Sequence, residues 1–450
     1  MFTKKTIKDV NIRDKKVLIR VDFNVPINDH GVITDDYRIK MALPTIEYAR
    51  SQGAKVILIS HMGRPKNAQD TIFSLKPCAT RLSELMHIDV GFTDDCIGPN
   101  VEKAVNALMS GDCLLLENLR FHKEEEANDL DFSKKLAALA DVFVQDGFGV
   151  VHRAHASTTG ITHFIVSVAG LLLEKEVTSI TNAMTNPDRP LAIVIGGAKV
   201  SDKIELLDVF IEKADYVAVV GAMANTFLMI EDIPIGLSRA DKDALDSAKL
   251  LYQKAQERMR REQFTFYLPH DVVVSKAIDN TLPTRIVDIA SHAYSDINSY
   301  PKIPDSTSYT VQSDEYILDI GPMTASSIAG AMKLSGTAVW NGTAGVTEVK
   351  GLNGAADPYS HGTKLIIEGL VGEHPRDDNK PFTIVGGGDT VGFVESVPWL
   401  RERLNHVSTG GGASLELMAG KKLPGLDALQ NKDVKMGTSS ASKSGTIYGK

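Results

Sequence analysis

Short apolar runs alternate with amphipathic stretches along the first part of the chain. The clearest runs are rich in Val, Ile and Leu, and they read KVLIRV (Lys16 to Val21), KVILIS (Lys55 to Ser60), CLLLEN (Cys113 to Asn118) and DVFVQD (Asp141 to Asp146). Continuous apolarity predicts strands that are covered on both faces, and the amphipathic stretches predict the helices that connect parallel strands. The pattern therefore indicates an α/β domain.

The same alternation begins again after about residue 187. Its apolar runs read LAIVI (Leu191 to Ile195), YVAVV (Tyr216 to Val220), TAVWNG (Thr337 to Gly342) and FTIVGG (Phe382 to Gly387). A second α/β domain of similar size is expected. The predicted fold class is thus α/β, with two doubly wound, Rossmann-like parallel-sheet domains and a cleft between them.

A helical pattern lies between the two sets of strands. Leu173, Val177, Ile180 and Met184 recur at helical spacing, and two prolines follow. We interpret this segment as a linker that can act as a hinge. The predicted divisions are an N-terminal domain at 1–169, the linker helix at 170–187, a C-terminal domain at 188–404 and a polar, disordered tail at 431–450.

Composition narrows the classes of function. The 450 residues are 43% hydrophobic and 24% charged, and the net charge of −8 argues against a protein that coats nucleic acid. No run approaches the roughly 20 apolar residues that span a bilayer, so we expect a cytoplasmic protein without a membrane partner. Cys78, Cys96 and Cys113 are too far apart for a CxxC pair and are expected to be buried thiols.

Cationic and polar residues follow four strands of the first domain. Because the carboxyl ends of parallel strands meet at one edge of a sheet, these side chains should share one rim. Arginine matches phosphate and carboxylate groups bidentately, so the rim predicts a site for a small anion, although a surface ion pair is an equal alternative for any single residue. The set is Asp22, Asn24, Arg38, His61, Arg64, Arg120, His122, His152, Arg153 and His155.

The second domain carries glycines at the equivalent places. Gly196 and Gly197 follow the first strand, and Lys199 and Lys203 are expected four residues apart on one face of the next helix. Glycines, a helix N-terminus and two lysines can hold a polyphosphate, yet the double glycine can equally be a tight turn packed against a neighbour. No GxxxxGK[ST] motif occurs.

Asp389 follows three glycines at the end of a predicted strand. A carboxylate there can hold Mg²⁺ that bridges nucleotide phosphates, and the competing interpretation is an N-cap of the next helix. An anion site facing a nucleotide-like site indicates phosphoryl transfer across a closing cleft, because this chemistry depends on positioning, cationic charge and exclusion of water.

The chain resembles the phosphoglycerate kinase family over residues 1 to 430. The resemblance is carried, in order, by RVDFNVP, SHMGRP, LLLENLRFH, GFG followed by HRAHAS, GGAKVSDK, GAMANTFL, WNG, GGGDT and STGGGASLE. It implies Mg²⁺-dependent phosphoryl transfer between 1,3-bisphosphoglycerate and ADP, giving 3-phosphoglycerate and ATP, in a monomer. It also implies that a segment at about 405–420 packs back on the N-terminal domain.

The resemblance further implies roles for individual residues. Arg38 and Lys199 would stabilise the transferring phosphoryl group, together with the backbone of Gly387 and Gly388. Asp389 would hold the metal. The residues implied for 3-phosphoglycerate are Asp22, Asn24, Arg38, His61, Arg64, Arg120 and Arg153. Those implied for the nucleotide are Gly197, Lys199, Lys203, Gly221, Leu318, Asn341, Glu348, Gly387, Gly388, Asp389 and Thr390.

The chain departs from the family pattern in two places. Thr343 stands where a proline is usual and Thr347 where an aromatic residue is usual, which leaves the preference among purine nucleotides open. Gly147 and Val150 replace an alanine and a threonine near the acidic-substrate pocket. Two alternatives therefore stay open, a catalytically impaired family member and a non-catalytic two-lobe protein that binds anions or nucleotides. A dinucleotide-dependent oxidoreductase is disfavoured because no convincing GxGxxG motif follows a strand.

Overall fold

The computed structural model describes residues 2–28, 31–66, 70–289, 310–352, 355–372 and 380–432. Among these residues, no helix is long and apolar enough to cross a lipid bilayer. From position 433 onward, the predicted disordered tail lies outside the described residues.

The first domain is built on a six-stranded parallel sheet with the strand order β3-β4-β2-β1-β5-β6. Its strands are Lys16–Arg20 (β1), Lys55–Ile59 (β2), Val90–Phe92 (β3), Cys113–Leu115 (β4), Val142–Gln145 (β5) and Val166–Ala169 (β6). Its helices are Tyr37–Ser51 (α1), Lys76–Met86 (α2), Pro99–Ala107 (α3) and Leu130–Ala137 (α4). The four predicted strands are present, and β3 and β6 are additional short strands.

Side chains of one strand enter two different apolar clusters. Val17 and Ile19 of β1 belong to the cluster on one face of the sheet, whereas Leu18 belongs to the cluster on the other face. Successive strand side chains point to opposite faces, so both faces are buried. This burial explains why the strands read as continuous apolar runs.

The second domain repeats this architecture with the strand order β15-β14-β13-β7-β8-β9. The two parallel-sheet domains confirm the predicted fold class. The strands of this sheet are Leu191–Ile195 (β7), Tyr216–Val219 (β8), Thr265–Tyr267 (β9), Thr337–Asn341 (β13), Phe382–Gly386 (β14) and His406–Val407 (β15). The helices after the linker are Ile204–Lys213 (α6), Ala222–Ile230 (α7), Leu245–Arg261 (α8), Pro322–Lys333 (α9), His361–Val371 (α10), Gly388–Glu395 (α11), Pro398–Arg401 (α12), Gly412–Met418 (α13) and Pro424–Asp427 (α14).

A three-stranded antiparallel sheet, which the sequence analysis did not predict, interrupts the second domain. It has the order β11-β10-β12 and consists of Asp271–Ser275 (β10), Arg285–Asp288 (β11) and Tyr316–Ile320 (β12). Val272, Val274 and Val287 form a separate apolar cluster with Leu228 of α7. The small sheet is therefore fixed to the edge of the domain and adds one wall to the candidate nucleotide cleft.

The segment between the domains is the helix Leu171–Thr185 (α5). Its first turn is held by Asp146, whose Oδ1 accepts from Leu172 N at 2.9 Å and from Leu173 N at 3.3 Å. Glu176 is fully buried on this helix and accepts from His406 Nε2 at 2.7 Å and from Thr409 N at 2.7 Å. The helix thus contacts the end of the first sheet as well as the strand β15 of the second sheet.

Burial raises the pKa of Asp146 from 3.8 to about 7. Between these two values the folded state keeps a proton that the unfolded chain has released, so this group lowers stability as pH rises from about 4 to about 7. Asn keeps the acceptor for the helix N–H groups but carries no charge. We expect Asp146→Asn to be more stable than the wild type at pH 8, by up to about 4 kcal/mol, with the difference shrinking toward pH 4. Thermal unfolding of both proteins at several pH values measures this difference in stability. If the difference does not change with pH, ionisation of Asp146 does not cause it.

The last described residues return to the first domain. Gly425 N donates to Val151 O at 2.8 Å, Gln430 N donates to Ser167 O at 3.1 Å, and Lys5 N donates to Gln430 O at 2.7 Å. Closer to the cleft, a Cβ on Gly410 would lie 2.3 Å from the ring of Phe148, so these two segments of the chain are in tight contact. The C-terminal segment therefore closes the edge of the first sheet beside the N-terminus.

Candidate functional site

Asp22, Asn24, Arg38 and His61 come together at the carboxyl ends of β1 and β2. Arg38 Nη1 donates to Asp22 Oδ2 at 2.9 Å and to the carbonyl of Asn24 at 3.3 Å. His61 Nδ1 lies 3.8 Å from Asp22 Oδ1. The rim predicted from the strand ends therefore brings these four residues into one polar cluster.

His61 is neutral in this cluster. Burial lowers the pKa of His61 well below 6.5, and the positive charges of Arg20, Arg120, Arg153 and Arg38 lower it further. The imidazole therefore supplies hydrogen-bonding groups and no charge, while four guanidinium groups act on one buried ring. Such a concentration of positive charge is best relieved by an anion.

The other arginines of the rim differ in exposure. Arg120 is held by Gly63 O at 2.7 Å and by Glu126 Oε1 at 2.9 Å. Burial lowers the pKa of Arg120, and Arg153 and Arg64 act in the same direction. Arg64 is exposed, whereas Arg153 is half-buried. Like charges near Arg120 again indicate an anion site on this rim.

Three histidines predicted for the rim have protein partners. His122 Nε2 lies 2.7 Å from Asp95 Oδ1, and His152 Nε2 accepts from Arg153 Nε at 3.1 Å. His155 Nδ1 lies 3.9 Å from Glu125 Oε1, and burial lowers the pKa of His155 to about 4. Within the described structure these rings are engaged in local contacts, so the arginines are the stronger candidates for binding an anion.

Arg20 and Glu125 lie behind the rim and were missed by the sequence analysis. Arg20 is 1% exposed and Glu125 is fully buried. Both contact Ser157, whose Oγ accepts from Arg20 Nε at 2.9 Å and donates to Glu125 Oε1 at 2.5 Å. Arg20 Nη2 also lies 3.2 Å from His61 Nδ1. An arginine inside the apolar run KVLIRV was the available signal, because a buried cation needs a partner.

The structure corrects the placement of the two lysines after β7. Helix α6 begins only at Ile204, after a 3₁₀ turn at Ser201–Lys203, so Lys199 precedes the helix instead of sharing a face with Lys203. The turn is held by Asp241, which accepts from Ser201 N at 2.9 Å and from Ser201 Oγ at 2.7 Å. Lys199 is exposed and lies close enough to Asp241 to lower the pKa of that carboxyl, after the larger effect of the Ser201 hydrogen bonds.

Lys203 turns back onto the strand ends. Its Nζ donates to Asn341 Oδ1 at 2.6 Å and to the carbonyl of Gly196. Burial lowers the pKa of Lys203 to about 8, and the negative charge of Asp389 opposes this shift. The ammonium group therefore lies between the ends of β7 and β13, with Asp389 near enough to act on it.

The double glycine and Thr390 have packing roles that the sequence left open. A Cβ on Gly342 would lie 2.4 Å from the carbonyl carbon of Gly196, so the ends of β7 and β13 touch through their backbones. Thr390 is buried, and its Oγ1 accepts from Gly342 N at 2.7 Å. The Thr390 hydroxyl therefore supports the glycine turn. The backbone of Thr390 is then the group available to a phosphate.

A cleft of about 340 Å³ opens beside this turn in the second domain. Of the predicted nucleotide residues, it is lined by Gly197, Gly221, Leu318, Glu348 and Asp389. Further lining residues that the sequence analysis missed are Asn225, Arg239, Tyr316 and Asp319. Tyr316 and Asp319 belong to β12, the strand that also carries Leu318, and within that strand the sequence analysis had named Leu318 alone. Thr343 lines the cleft, whereas Thr347 is buried beside it.

A second cleft, of about 240 Å³, lies between the two domains. Asn24 and Arg38 of the first domain line it together with Gly387, Gly388 and other residues of the second. Gly387 has a φ of +93°, a conformation that glycine adopts without strain, and it is the N-cap of α11. Three of the four residues implied as catalytic therefore share one cleft, and Lys199 is the exception.

Tyr37, the neighbour of Arg38, is anchored in the second domain. Its ring is 3% exposed and belongs to the apolar core of that domain, and its hydroxyl donates to Val407 O at 2.5 Å. The guanidinium carbon of Arg401 lies 3.8 Å from the centre of the ring. The helix that carries Arg38 is thus held against the domain that carries the glycines.

Comparisons with known proteins agree with this arrangement. The family model described as phosphoglycerate kinase matches residues 7–421. A phosphoglycerate kinase of Dictyoglomus turgidum is 43% identical over 434 residues, covering 96% of this chain and 100% of the relative, and one of Gloeothece citriformis is 45% identical over 433 residues, covering 95% and 99%. The phosphoglycerate kinase structure from Coxiella burnetii superimposes with a TM-score of 0.76 at 35% identity, covering 94% of this chain and 98% of the other. Because the match spans both sheets, the helix between them and the returning C-terminal segment, the chain belongs to the phosphoglycerate kinase family.

Proposed function

We propose that the residues described above carry out the family reaction in this chain. The enzyme is a phosphotransferase with a carboxyl group as acceptor, and it interconverts 1,3-bisphosphoglycerate plus ADP with 3-phosphoglycerate plus ATP in glycolysis and gluconeogenesis. The observation that supports our assignment of residues is the interdomain cleft, where Arg38 of one domain and Gly387 and Gly388 of the other share a wall.

The first domain binds 3-phosphoglycerate in this proposal. The substrate carries a phosphate and a carboxylate. The rim offers the guanidinium groups of Arg38, Arg64, Arg120 and Arg153, of which Arg38 is paired with Asp22 and Arg120 with Glu126. Asp22 orients Arg38 through the 2.9 Å contact and leaves the rest of the guanidinium group for the transferring phosphoryl group. The complete proposed set adds Asn24 and His61, which lie beside Asp22.

The second domain binds ATP or ADP. The cleft beside Gly197 and Gly221 admits the nucleoside, with Leu318 and Glu348 in its wall. Asn341 acts by holding Lys203, which lies toward the phosphates together with the turn at Gly387, Gly388 and Thr390. Asp389 is exposed at the start of α11 and lines this cleft, so its carboxylate fits the oxygen ligands that Mg²⁺ prefers. When bound there with the nucleotide, Mg²⁺ would neutralise charge on the phosphate oxygens.

Transfer requires Lys199 to leave the neighbourhood of Asp241 and approach Arg38. Closure of the domains about α5 brings the two sites together and excludes water, so both ligands together favour the closed form. Arg38 and Lys199 then stabilise the charge on the transferring group, and the backbone N–H groups of Gly387 and Gly388 add hydrogen bonds to it. Neither cation acts as a base.

The proposal extends to the protein's setting. The proposed catalytic groups form the site without a second copy of the chain, and we propose that the protein acts as a monomer. Three buried, unpaired cysteines support a reducing compartment such as the cytoplasm.

Turnover by the purified full-length protein tests this function. We expect 3-phosphoglycerate to drive consumption of ATP when Mg²⁺ is present and a coupling dehydrogenase removes 1,3-bisphosphoglycerate. Asp389→Asn should lower kcat/KM by at least about 100-fold, while Asp131→Asn, an exposed acid on the other domain, should leave it unchanged. GTP run beside ATP shows whether the wall containing Thr343 has altered the base preference. Folded protein without turnover would refute the function, whereas unchanged Asp389→Asn would refute only the metal site.

A further inference from the structure

Asp95, Cys96 and His122 form a compact cluster at the carboxyl end of the first sheet, outside both clefts. Asp95 and Cys96 follow β3, and His122 follows the turn at Leu119–Phe121. One carboxylate oxygen, the Cys96 sulfur and one ring nitrogen of His122 all lie within 4.8 Å of one another. We propose that these three residues bind a divalent cation of the Zn²⁺ type.

The donor set selects the class of metal. Thiolate, imidazole and carboxylate are the ligands of Zn²⁺ and of similar borderline-soft ions, whereas Mg²⁺ and Ca²⁺ prefer oxygen alone. Three protein ligands leave the fourth tetrahedral position to water. The proposed site is therefore chemically distinct from the carboxylate at Asp389.

The geometry needs only a small contraction. Bonds of about 2.0 Å to nitrogen and about 2.3 Å to sulfur place tetrahedral ligands about 3.5 Å apart. The more distant donor atoms must therefore approach by up to about 1 Å, while the hydrogen-bonded pair of Asp95 and His122 must separate slightly. Cys96 is fully buried, whereas the side chains of Asp95 and His122 are 46% and 26% exposed. Asp95 Oδ1 also accepts from Cys96 N at 2.6 Å, so the carboxylate already lies beside the cysteine. His122 Nε2 lies 2.7 Å from Asp95 Oδ1 in a hydrogen bond, which a bound cation would replace with one metal bond to each residue.

The local charge also suits a cation. The carboxyl groups of Asp95, Glu125 and Glu117 lie close enough to the Cys96 sulfur to act on it electrostatically. A bound dication offsets these charges. The thiol then releases its proton to solvent, and the sulfur lone pair forms the metal bond.

Occupancy would tie two segments together. The loop after β3 would be linked to His122, which lies two residues beyond Arg120, a proposed ligand of 3-phosphoglycerate. The metal would thus stiffen the turn that presents Arg120 without entering the reaction.

Cobalt substitution tests the site in the full-length protein. Metal-free protein is titrated with Co²⁺ in excess Mg²⁺, and we expect one equivalent to produce a thiolate-to-cobalt charge-transfer band that Zn²⁺ abolishes. The band should vanish in Cys96→Ser and persist in Cys78→Ser and Cys113→Ser, whose thiols are equally buried. No band at one equivalent, or a band that survives in Cys96→Ser, would overturn the proposal.

A second variant covers the case in which Cys96→Ser fails to fold. His122 is partly exposed, so His122→Gln should keep the fold, as circular dichroism can verify. Loss of a ligand should weaken Zn²⁺ binding by at least about 100-fold, since even the groups that orient ligands contribute 10- to 100-fold. Unchanged Zn²⁺ affinity in folded His122→Gln would also overturn the site.

Discussion

Replacing Arg38 by alanine is expected to lower kcat by about 10³- to 10⁵-fold, the range seen when an arginine that stabilises a transferring phosphoryl group is removed. Arg38 is held by Asp22 and by the carbonyl of Asn24, and it lies in the cleft shared with Gly387 and Gly388. Its positive charge stabilises the transition state of phosphoryl transfer more than the bound substrates. The loss should therefore appear chiefly in kcat, measured by the coupled assay with saturating substrates.

Two variants control this prediction. Arg13→Ala removes an exposed arginine from the same domain and should leave kcat unchanged. Arg38→Lys keeps the charge but loses the planar fork, so it should recover only part of the activity. If kcat of folded Arg38→Ala stays within tenfold of the wild type, Arg38 has no role in transfer. Lys199→Ala, examined in parallel, shows whether the exposed lysine takes part.

Replacing Arg20 by methionine is expected to destabilise the protein by about 3–5 kcal/mol. Methionine fills much of the same space, but it leaves Glu125 buried without the nearby cation. It also removes the hydrogen bonds to Ser157 and to the carbonyl of Val21. Urea denaturation, followed by circular dichroism, measures the free energy of unfolding.

A double variant separates the charge pair from simple loss of packing. Glu125→Gln removes the charge that Arg20 compensates, so Arg20→Met combined with Glu125→Gln should be less destabilised than the sum of the single variants, by at least about 1 kcal/mol. Arg13→Met, at an exposed position, should stay within about 0.5 kcal/mol of the wild type. Strict additivity would show that Arg20 and Glu125 do not act as a pair.

The sheets and the anion rim were predictable because their signals are local. An apolar run followed by RVDFNVP already contains the strand, its end and the polar groups delivered there. The rule that parallel strands share one edge then placed Asp22 and His61 together, although they are far apart in the chain. The local sequence pattern was sufficient to predict a strand wherever that strand was long and covered on both faces.

Other features depend on contacts that no local pattern encodes. The pairing of Arg20 with Glu125 through Ser157 joins three distant segments. The sequence of β1 alone therefore could not indicate a partner for Arg20. The small sheet of β10, β11 and β12 rests on antiparallel pairing across an intervening stretch of chain. The placement of Lys199 on α6 was wrong because Asp241 holds a 3₁₀ turn between Lys199 and that helix. A helical spacing of four residues cannot indicate that contact.

The return of the C-terminal segment has a consequence for synthesis of the protein. Val151, Ser167 and Lys5 complete their backbone hydrogen bonds only with residues 425 to 430, which leave the ribosome after the whole second domain. The first domain is translated first, but it therefore lacks these hydrogen bonds until the second domain has been synthesised. Domains usually fold in the order in which they are synthesised. In this protein the first domain is synthesised first, but its backbone hydrogen bonds are completed last.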